Sequence, residues 1–258
     1  MRQMFGNDVA ELSDDATPPA SLPKATVVKS KANDGYARGN NKGLKFAYAD
    51  TETRHILILN NDTLFVEDIV PQLVQDVEST DNCALVSPLL YKKDLATIEP
   101  FCARRQGRVR DMLVYNMMIF RMTGYMKRAT FIPVSHGSGM KAVELISGSC
   151  FLCRKDFFNQ IGGFDPNTFL YYEENILWEK IKRTGKVNYV DTDLKCIHLG
   201  ASTISKHFSS RLIRESFRGQ NYFVRNYLPH GRAKAALLKL TNVWVLSAFA
   251  MRKLLLGR

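Results

Sequence analysis

Short runs of β-branched and aliphatic residues alternate along this chain with longer stretches whose apolar residues recur at helical spacing. This alternation constrains the fold more than any other feature, because strands separated by helices build an α/β domain on a mostly parallel sheet flanked by helices. The predicted strands are 26–29, 56–59, 84–86, 149–153 and 187–190. The predicted helices are 41–48, 66–77, 155–161, 175–184 and 211–227.

Composition divides the chain into three segments. Residues 1–24 are polar, acidic and proline-bearing, which predicts a loose lead-in. Residues 25–206 carry the alternating pattern of the α/β domain, but residues 100–141 are rich in Arg, Met and aromatic side chains, as is typical of a lid over a site or a disordered insert. Residues 207–258 predict a helical C-terminal extension.

The formal net charge of +11 favours contact with anions such as phosphates, acidic lipid head groups or nucleic acid. We expect no nucleic-acid partner, because the basic residues form no recognisable module with stacking aromatic residues. Five cysteines without a signal peptide favour a cytoplasmic location. Cys150 and Cys153 have CxxC spacing, but there is no second pair, so we expect buried strand cysteines rather than a metal or redox site.

The end of the chain, residues 237–258, combines apolar residues with Lys239, Arg252, Lys253 and Arg258. No apolar run reaches the roughly 18–20 residues that a membrane span requires. Two interpretations remain. The segment could lie in a membrane interface, placing the protein peripherally on the inner face of the cell membrane. It could equally be a terminal helix packed on the domain, with cations favoured near its carboxyl end.

Three polar islands interrupt the packing pattern. The first, residues 33–43 (NDGYARGNNKG), has glycines that let the backbone approach a ligand, and its Arg38, Asn40 and Asn41 could contact an anion. A glycine-rich loop that merely opens a helix is the alternative.

The second island, Asn60, Asn61 and Asp62, directly follows a predicted buried strand. Ligands of α/β sheets bind at the carboxyl ends of strands, and a carboxylate there can hold a hard cation that bridges phosphate oxygens. A turn stabilised by an Asx hydrogen bond is the alternative. The third island places Glu173 and Glu174 at the start of a helix, where they are either partners of the helix dipole or a general base.

Taken in order, the blocks NDGYARGNNKG, ILILNNDTLF, SGSCFLC, GGFDPNTFLYYEEN and CIHLG resemble the family 2 glycosyltransferases. The resemblance covers residues 26–206 and points to the bacterial branch that includes rhamnosyltransferase-like enzymes of surface-polysaccharide assembly. It implies a GT-A fold and an inverting transfer from a nucleotide-diphosphate sugar. It also implies a divalent cation, Mg²⁺ or Mn²⁺, as cofactor and a glycan or lipid-linked acceptor.

The resemblance also assigns roles to residues. Asp62 matches the metal-binding acid of the family's D-x-D-like element, which this branch often writes N-N-D, and His198 matches a histidine that reaches the metal or the diphosphate. Glu174 matches the catalytic base, with Glu173 preceding it. The residues expected to lie beside the donor are Arg38, Asn40, Asn41, Asn60, Asn61, Ser147 and Gly148.

The chain departs from the family pattern in two places. The family opens with an apolar strand and a loop, followed by a second strand that ends in an aspartate contacting the nucleotide base. Residues 1–24 are expected to supply neither, which predicts an N-terminally shortened chain or loss of these elements. Ile176 stands where the family usually has a further acidic residue. The alternative function is therefore a catalytically inactive remnant that binds a glycan or a partner protein.

Overall fold

The computed structural model describes residues 8–116, 129–200 and 210–256. The first half comprises β1 (Val9–Ser13), β2 (Ala25–Lys29), α1 (Gly35–Ala49), β3 (His55–Leu59), β4 (Thr63–Phe65), α2 (Val70–Ser79), β5 (Cys83–Tyr91), β6 (Ala103–Arg104) and α3 (Val109–Asn116). The second half comprises β7 (Met140–Val143), β8 (Leu145–Ile146), β9 (Cys150–Arg154), α4 (Lys155–Gln160), α5 (Glu173–Lys182), β10 (Val187–His198), α6 (Ser210–Tyr227) and α7 (Gly231–Leu256).

The predicted α/β architecture, with helices flanking a central sheet and a helical C-terminal extension, is confirmed. Each predicted strand and helix has a counterpart, although two strands are longer than expected by several residues. Strand β5 runs on to Tyr91, and β10 runs on to His198. The added length carries both strands to the same edge of the sheet, where Tyr91 lies opposite Ile197.

The predicted mostly parallel direction of the sheet is wrong. The strand order is β3-β9-β5-β10-β4, with β7 also paired to β10. Among the pairings of this sheet in the described ranges, β5–β10 is parallel and the others are antiparallel. Hydrophobic periodicity does not encode strand direction, and β9 lies antiparallel between β3 and β5.

Two expectations about irregular segments also need correction. Within residues 1–24, expected to be a loose lead-in, β1 pairs in parallel with β2. Lys42 on α1 forms ion pairs with both Asp14, which follows β1, and Asp34. Within residues 100–141, β6 pairs with β8 and α3 is helical, whereas residues 117–128 lie outside the described ranges.

The main hydrophobic core lies between the central sheet and helices α1, α2, α4 and α5. Cys150 and Cys153 are fully buried in it, which confirms the prediction of buried strand cysteines. A second cluster joins the C-terminal helices to the domain through Ile176, Phe223 and Leu238. No helix within the described ranges is long and apolar enough to cross a lipid bilayer.

Candidate active site

The second polar island lies beside the segment 147–149 at one edge of the central sheet. Strands β3 and β9 run antiparallel, so the carboxyl end of β3 lies beside the amino end of β9. The backbone N–H of Asn60 donates a hydrogen bond to Ser149 O at 2.8 Å. The NND segment (residues 60–62) therefore contacts the SGS segment (residues 147–149) directly.

Asp62 and His198 form a polar corner at this edge. Strands β4 and β10 pair antiparallel, with His198 opposite Thr63. His198 Nε2 lies 3.4 Å from Asp62 Oδ1, and His198 Nδ1 lies 3.1 Å from Glu99 Oε2. The hydrogen bond with Glu99 raises the pKa of His198, and the charge of Asp62 adds to this while burial of the ring opposes it. The structure thus brings together the two predicted metal ligands.

The Asp62–His198 pair fits a divalent cation. Asp62 Oδ1 is buried and makes no hydrogen bond among the described residues, and His198 Nε2 at 3.4 Å is its basic neighbour. A buried carboxylate oxygen without a hydrogen bond favours a compensating cation. One carboxylate and one imidazole are ligands that Mn²⁺ accepts. No group of three or more His, Cys, Asp or Glu side chains in the described part of the chain is arranged as a metal site. The remaining ligands would come from water or a bound substrate, as is common for Mg²⁺ sites.

Glu174 lies on the other side of the SGS segment. Its Oε1 accepts a hydrogen bond from the backbone N–H of Gly148 at 3.3 Å and lies 3.8 Å from Arg104 Nη2. The Tyr36 hydroxyl donates a hydrogen bond to the carbonyl of the same glycine. Glu174 keeps 23% of its side chain exposed, so this carboxylate is held in position and remains accessible to a substrate.

Glu173 occupies a different environment from its neighbour. It is buried, and its Oε2 has no hydrogen-bond partner in the described structure. Burial, reinforced by the nearby charge of Glu174, raises the pKa of Glu173 to about 8. At neutral pH Glu173 therefore favours its protonated form, because burial disfavours the charged carboxylate.

The segment before α5 has an unusual backbone conformation. Tyr171 and Tyr172 have φ values of 73° and 70°, in a region that is costly for residues with a Cβ. Helix α6 supports them: Gln220 Nε2 donates a hydrogen bond to Tyr172 Oη at 2.9 Å. A Cβ at Gly219 would lie 2.8 Å from Tyr171 O. The C-terminal extension therefore helps to fix the start of α5, and with it the two glutamates.

The first polar island lies on α1 and braces the same region. Arg38 Nε donates a hydrogen bond to Pro166 O at 2.6 Å, and Asn41 Nδ2 donates one to Phe164 O at 2.8 Å. The Asn40 side chain donates to a carbonyl of its own helix. These contacts lie within the protein, and the role of the three side chains in binding a donor stays a prediction.

The other predicted donor-binding residues lie at the sheet edge. Asn61 is exposed in the turn after β3. Ser147 Oγ lies 2.8 Å from Ser149 Oγ, and the backbone of Gly148 is held between Tyr36 and Glu174. Four of the five predicted blocks thus converge at one edge, with the island on α1 behind them.

Sequence reasoning missed Glu99, Arg104 and Tyr36. Tyr36 lies inside the first island, but its hydroxyl becomes important only through its contact with Gly148. Arg104 belongs to the segment 100–141, whose composition indicated a functional element without singling out a residue. Glu99 has no motif or periodicity around it, and its role follows from its hydrogen bond with His198.

Comparison with known proteins shows sequence similarity between this chain and enzymes that transfer sugars. The hexosyltransferase Agl10 of low-salt glycan biosynthesis from Haloferax volcanii is 27% identical over 150 residues, which are 57% of this chain and 43% of Agl10. The rhamnosyltransferase WbbL from Escherichia coli is 24% identical over 161 residues, 60% of this chain and 58% of WbbL. The chain is homologous to glycosyltransferases.

A third glycosyltransferase relative is the N-acetylglucosaminyl-diphospho-decaprenol L-rhamnosyltransferase of Mycobacterium tuberculosis, 31% identical over 72 residues, or 28% of this chain and 24% of the relative. Two of the three relatives are named as rhamnosyltransferases, which confirms the resemblance to rhamnosyltransferase-like glycosyltransferases. The chain spans less than two thirds of the length of each. No protein-family model matches it.

Two solved structures of glycosyltransferases superpose on this chain with low scores. GalNAc-T7 with UDP, GalNAc and Mn²⁺ superposes with a TM-score of 0.49 at 14% identity, covering 88% of this chain and 45% of that one. The mannosyltransferase PcManGT from Pyrobaculum calidifontis with GDP-Man and Mn²⁺ gives a TM-score of 0.46 at 13% identity, covering 95% and 73%. Both TM-scores are below 0.5, a level that does not by itself establish a shared fold.

Proposed function

We propose that this protein is an inverting glycosyltransferase of surface-polysaccharide synthesis. It would move a sugar from a nucleotide-diphosphate sugar to a glycan or lipid-linked acceptor. The observation that carries the proposal is the position of Gly148. Its SGS segment contacts the NND segment, which holds Asp62, while Gly148 itself contacts Glu174. The Asp62–His198 pair, which is suited to a cation, thus lies on one side of the SGS segment. The carboxylate of Glu174 lies on the other side.

Asp62 and His198 would hold the divalent cation on the donor's diphosphate. When bound, the cation offsets the negative charge that builds on the leaving diphosphate. Glu99, hydrogen-bonded to the other ring nitrogen, would fix the orientation of His198, as partners of metal-binding histidines usually do. The metal-binding role proposed for these residues is supported by Oδ1 of Asp62, which is buried without a hydrogen bond in the described structure, and by the chemistry of the pair.

Glu174 would act as the general base. It would take the proton from an acceptor hydroxyl as that oxygen attacks the anomeric carbon of the sugar. The bond from the anomeric carbon to the diphosphate breaks at the same time, and the diphosphate leaves with the bonding electron pair. Attack opposite the leaving group inverts the anomeric configuration. Glu173, whose raised pKa favours its protonated form, lies beside it and is not assigned the role of base.

The nucleoside end of the donor would lie towards β1. The family's second strand ends in an aspartate that contacts the nucleotide base, and Asp14 directly follows β1 here. Lys42 joins Asp14 to Asp34 at the start of α1. We assign these three residues to the nucleoside side of the donor site.

The protein would work in the cytoplasm, in peripheral contact with the anionic inner face of the membrane.

Thermal unfolding with UDP-, GDP- and dTDP-sugars, with and without Mn²⁺, tests this function. A ligand that binds the folded state raises the midpoint of unfolding. We expect at least one nucleotide sugar to raise the midpoint in the presence of Mn²⁺ and to lose most of that effect with EDTA. If no nucleotide sugar raises it with any metal, the protein is a remnant that does not bind a donor.

A further inference from the structure

The positive charge of this protein is concentrated in its C-terminal helices. Residues 210–258 contain ten Lys and Arg residues and a single acidic residue, Glu215, and so carry +9 of the formal charge of +11. Glu215 forms an ion pair with Arg218 on the same helix. The rest of the segment's positive charge has no acidic residue within the segment to neutralise it.

Helices α6 and α7 enclose a groove of about 890 Å³. Five cationic side chains line it: Arg214, Arg218, Arg225, Arg232 and Lys239. All five are exposed, and the described lining contains no acidic side chain. The floor is apolar, with Phe217, Ala235 and Leu246 among its residues. A groove with cationic walls and an apolar floor is complementary to an anionic head group attached to a hydrocarbon chain.

Helix α7 also presents apolar side chains to solvent next to this groove. Leu240 is 71% exposed, Val243 63% and Trp244 62%. Val243 also lines the groove, so the apolar surface and the cationic walls are continuous. Large exposed apolar side chains in one cluster indicate an interaction surface, and tryptophan beside basic residues is favoured at the boundary between lipid and water.

We propose that the α6–α7 groove is the docking site of the protein on an anionic phospholipid bilayer, which rests on the membrane contact proposed above and names its surface. The lipid phosphates would lie among the five cations, while Leu240, Val243 and Trp244 insert at the level of the head groups. A bilayer is favoured over nucleic acid because the exposed residues beside the cations are mainly aliphatic and offer no series of stacking rings.

The groove is connected to the candidate active site. Tyr222, which lines the groove, donates a hydrogen bond from its hydroxyl to Asp165 Oδ2 at 2.9 Å. Arg218, another lining residue, is followed by Gly219, which packs closely against Tyr171 at the start of α5. A bilayer docked here would thus lie on the same helix that supports the loop just before the two glutamates.

Binding of the full chain to vesicles tests this surface. The variant Arg214→Gln/Arg225→Gln/Arg232→Gln removes three exposed groove cations. The matched control Lys92→Gln/Lys93→Gln/Lys141→Gln removes three exposed cations elsewhere. Sedimentation is measured with vesicles of phosphatidylcholine alone and of equal parts phosphatidylcholine and phosphatidylglycerol. We expect the parent and the control to bind the mixed vesicles, and the groove variant to bind roughly 10²-fold more weakly.

Two further measurements complete the test. The variant Leu240→Ser/Trp244→Ser should weaken binding to the mixed vesicles while preserving its salt dependence, because it removes apolar insertion and keeps the charges. Competition with single-stranded RNA should leave vesicle binding intact. Equal binding by the groove variant and the control would overturn the proposal. The proposal would also be overturned if RNA displaced the vesicles from the parent and bound the groove variant more weakly than the parent. Vesicle binding is measured without donor, so failure here leaves the donor-binding result above unaffected.

Discussion

Gly148 donates its backbone N–H to Glu174 Oε1 at 3.3 Å, and this contact links the SGS segment to the proposed base. The space around residue 148 accommodates a glycine but leaves little room for a side chain. A Cβ at residue 148 would lie 2.9 Å from Tyr36 Oη and 3.5 Å from Glu174 Oε1. The glycine therefore allows a tyrosine and a carboxylate to approach the same peptide unit, and its backbone orients both.

Gly148→Ala should lower the rate of sugar transfer by roughly 10-fold or more, because the new methyl group displaces Tyr36 or Glu174 from its observed position. The double variant Gly148→Ala/Tyr36→Phe removes the hydroxyl that the methyl group meets first. Its transfer rate should therefore be higher than the product of the two single effects predicts. Additive single effects, measured as rates with saturating donor, would argue against this packing relationship.

Asp62→Asn should abolish the part of nucleotide-sugar stabilisation that depends on Mn²⁺, because an amide oxygen is a much weaker ligand for a hard cation than a carboxylate. The fold should persist, since the backbone pairing of β4 with β10 is unchanged. Asp81→Asn, at an exposed turn, is the matched control and should behave as the parent. Equal Mn²⁺-dependent shifts of the unfolding midpoint in the Asp62 and Asp81 variants would exclude Asp62 as a ligand.

Glu173→Gln should stabilise the folded protein increasingly as the pH rises. The carboxyl group has a folded-state pKa raised from 4.5 to about 8, so the folded state favours the protonated form. The stability it contributes is complete below pH 4.5 and is lost as the pH rises through about 8. Glutamine cannot ionise and avoids this loss.

The difference in unfolding free energy between the Glu173→Gln variant and the parent should therefore grow by up to about 1.4 kcal/mol per pH unit across this window. It should level off at higher pH. Urea unfolding of both proteins at acidic, neutral and basic pH measures it. A difference that stays constant over the same range would show that Glu173 is ionised in the folded protein.

Gly219→Ala should destabilise the protein by about 1–3 kcal/mol, because the new Cβ would collide with the backbone of Tyr171 rather than with a side chain that can rotate away. Gly39→Ala is the matched control, because Gly39 is exposed on α1 and a Cβ there would meet nothing within 4 Å. That control should stabilise the protein by about 0.5–1 kcal/mol through helix propensity. Equal effects of the two substitutions on urea unfolding would contradict close packing of α6 against the loop.

The local hydrophobic pattern predicted where the strands and helices lie, but it did not predict which strands pair or in which direction. Strand 56–59 was recognised because its aliphatic residues end abruptly in three polar ones, and β3 is found there. The antiparallel insertion of β9 between β3 and β5 was not predictable, since strand direction depends on packing across the sheet and not on the local hydrophobic pattern. Strand β1 was missed because its five residues, VAELS, alternate too briefly to stand out from polar surroundings.

The candidate site was predictable where a polar residue ends a strand or begins a helix. Asp62, His198 and Glu174 satisfy that condition, and the structure places them at one edge. Glu99 and Arg104 do not, because their importance comes from contacts made across long sequence separations. The contrast between Glu173 and Glu174 was also beyond the sequence, since it depends on which of two adjacent carboxyl groups the fold buries.

Sugar transfer by Glu174→Gln is the most direct test of the proposed mechanism. Parent and variant are compared with the nucleotide sugar that stabilises the parent, with membrane lipid extract as acceptor, by release of nucleoside diphosphate. The exposed substitution Glu52→Gln is the control. We predict that Glu174→Gln lowers the rate by roughly 10²–10⁴-fold while its donor-dependent unfolding shift is retained, and that Glu173→Gln costs less. A Glu174→Gln rate close to that of the parent, or a parent that transfers sugar to no acceptor, would contradict it.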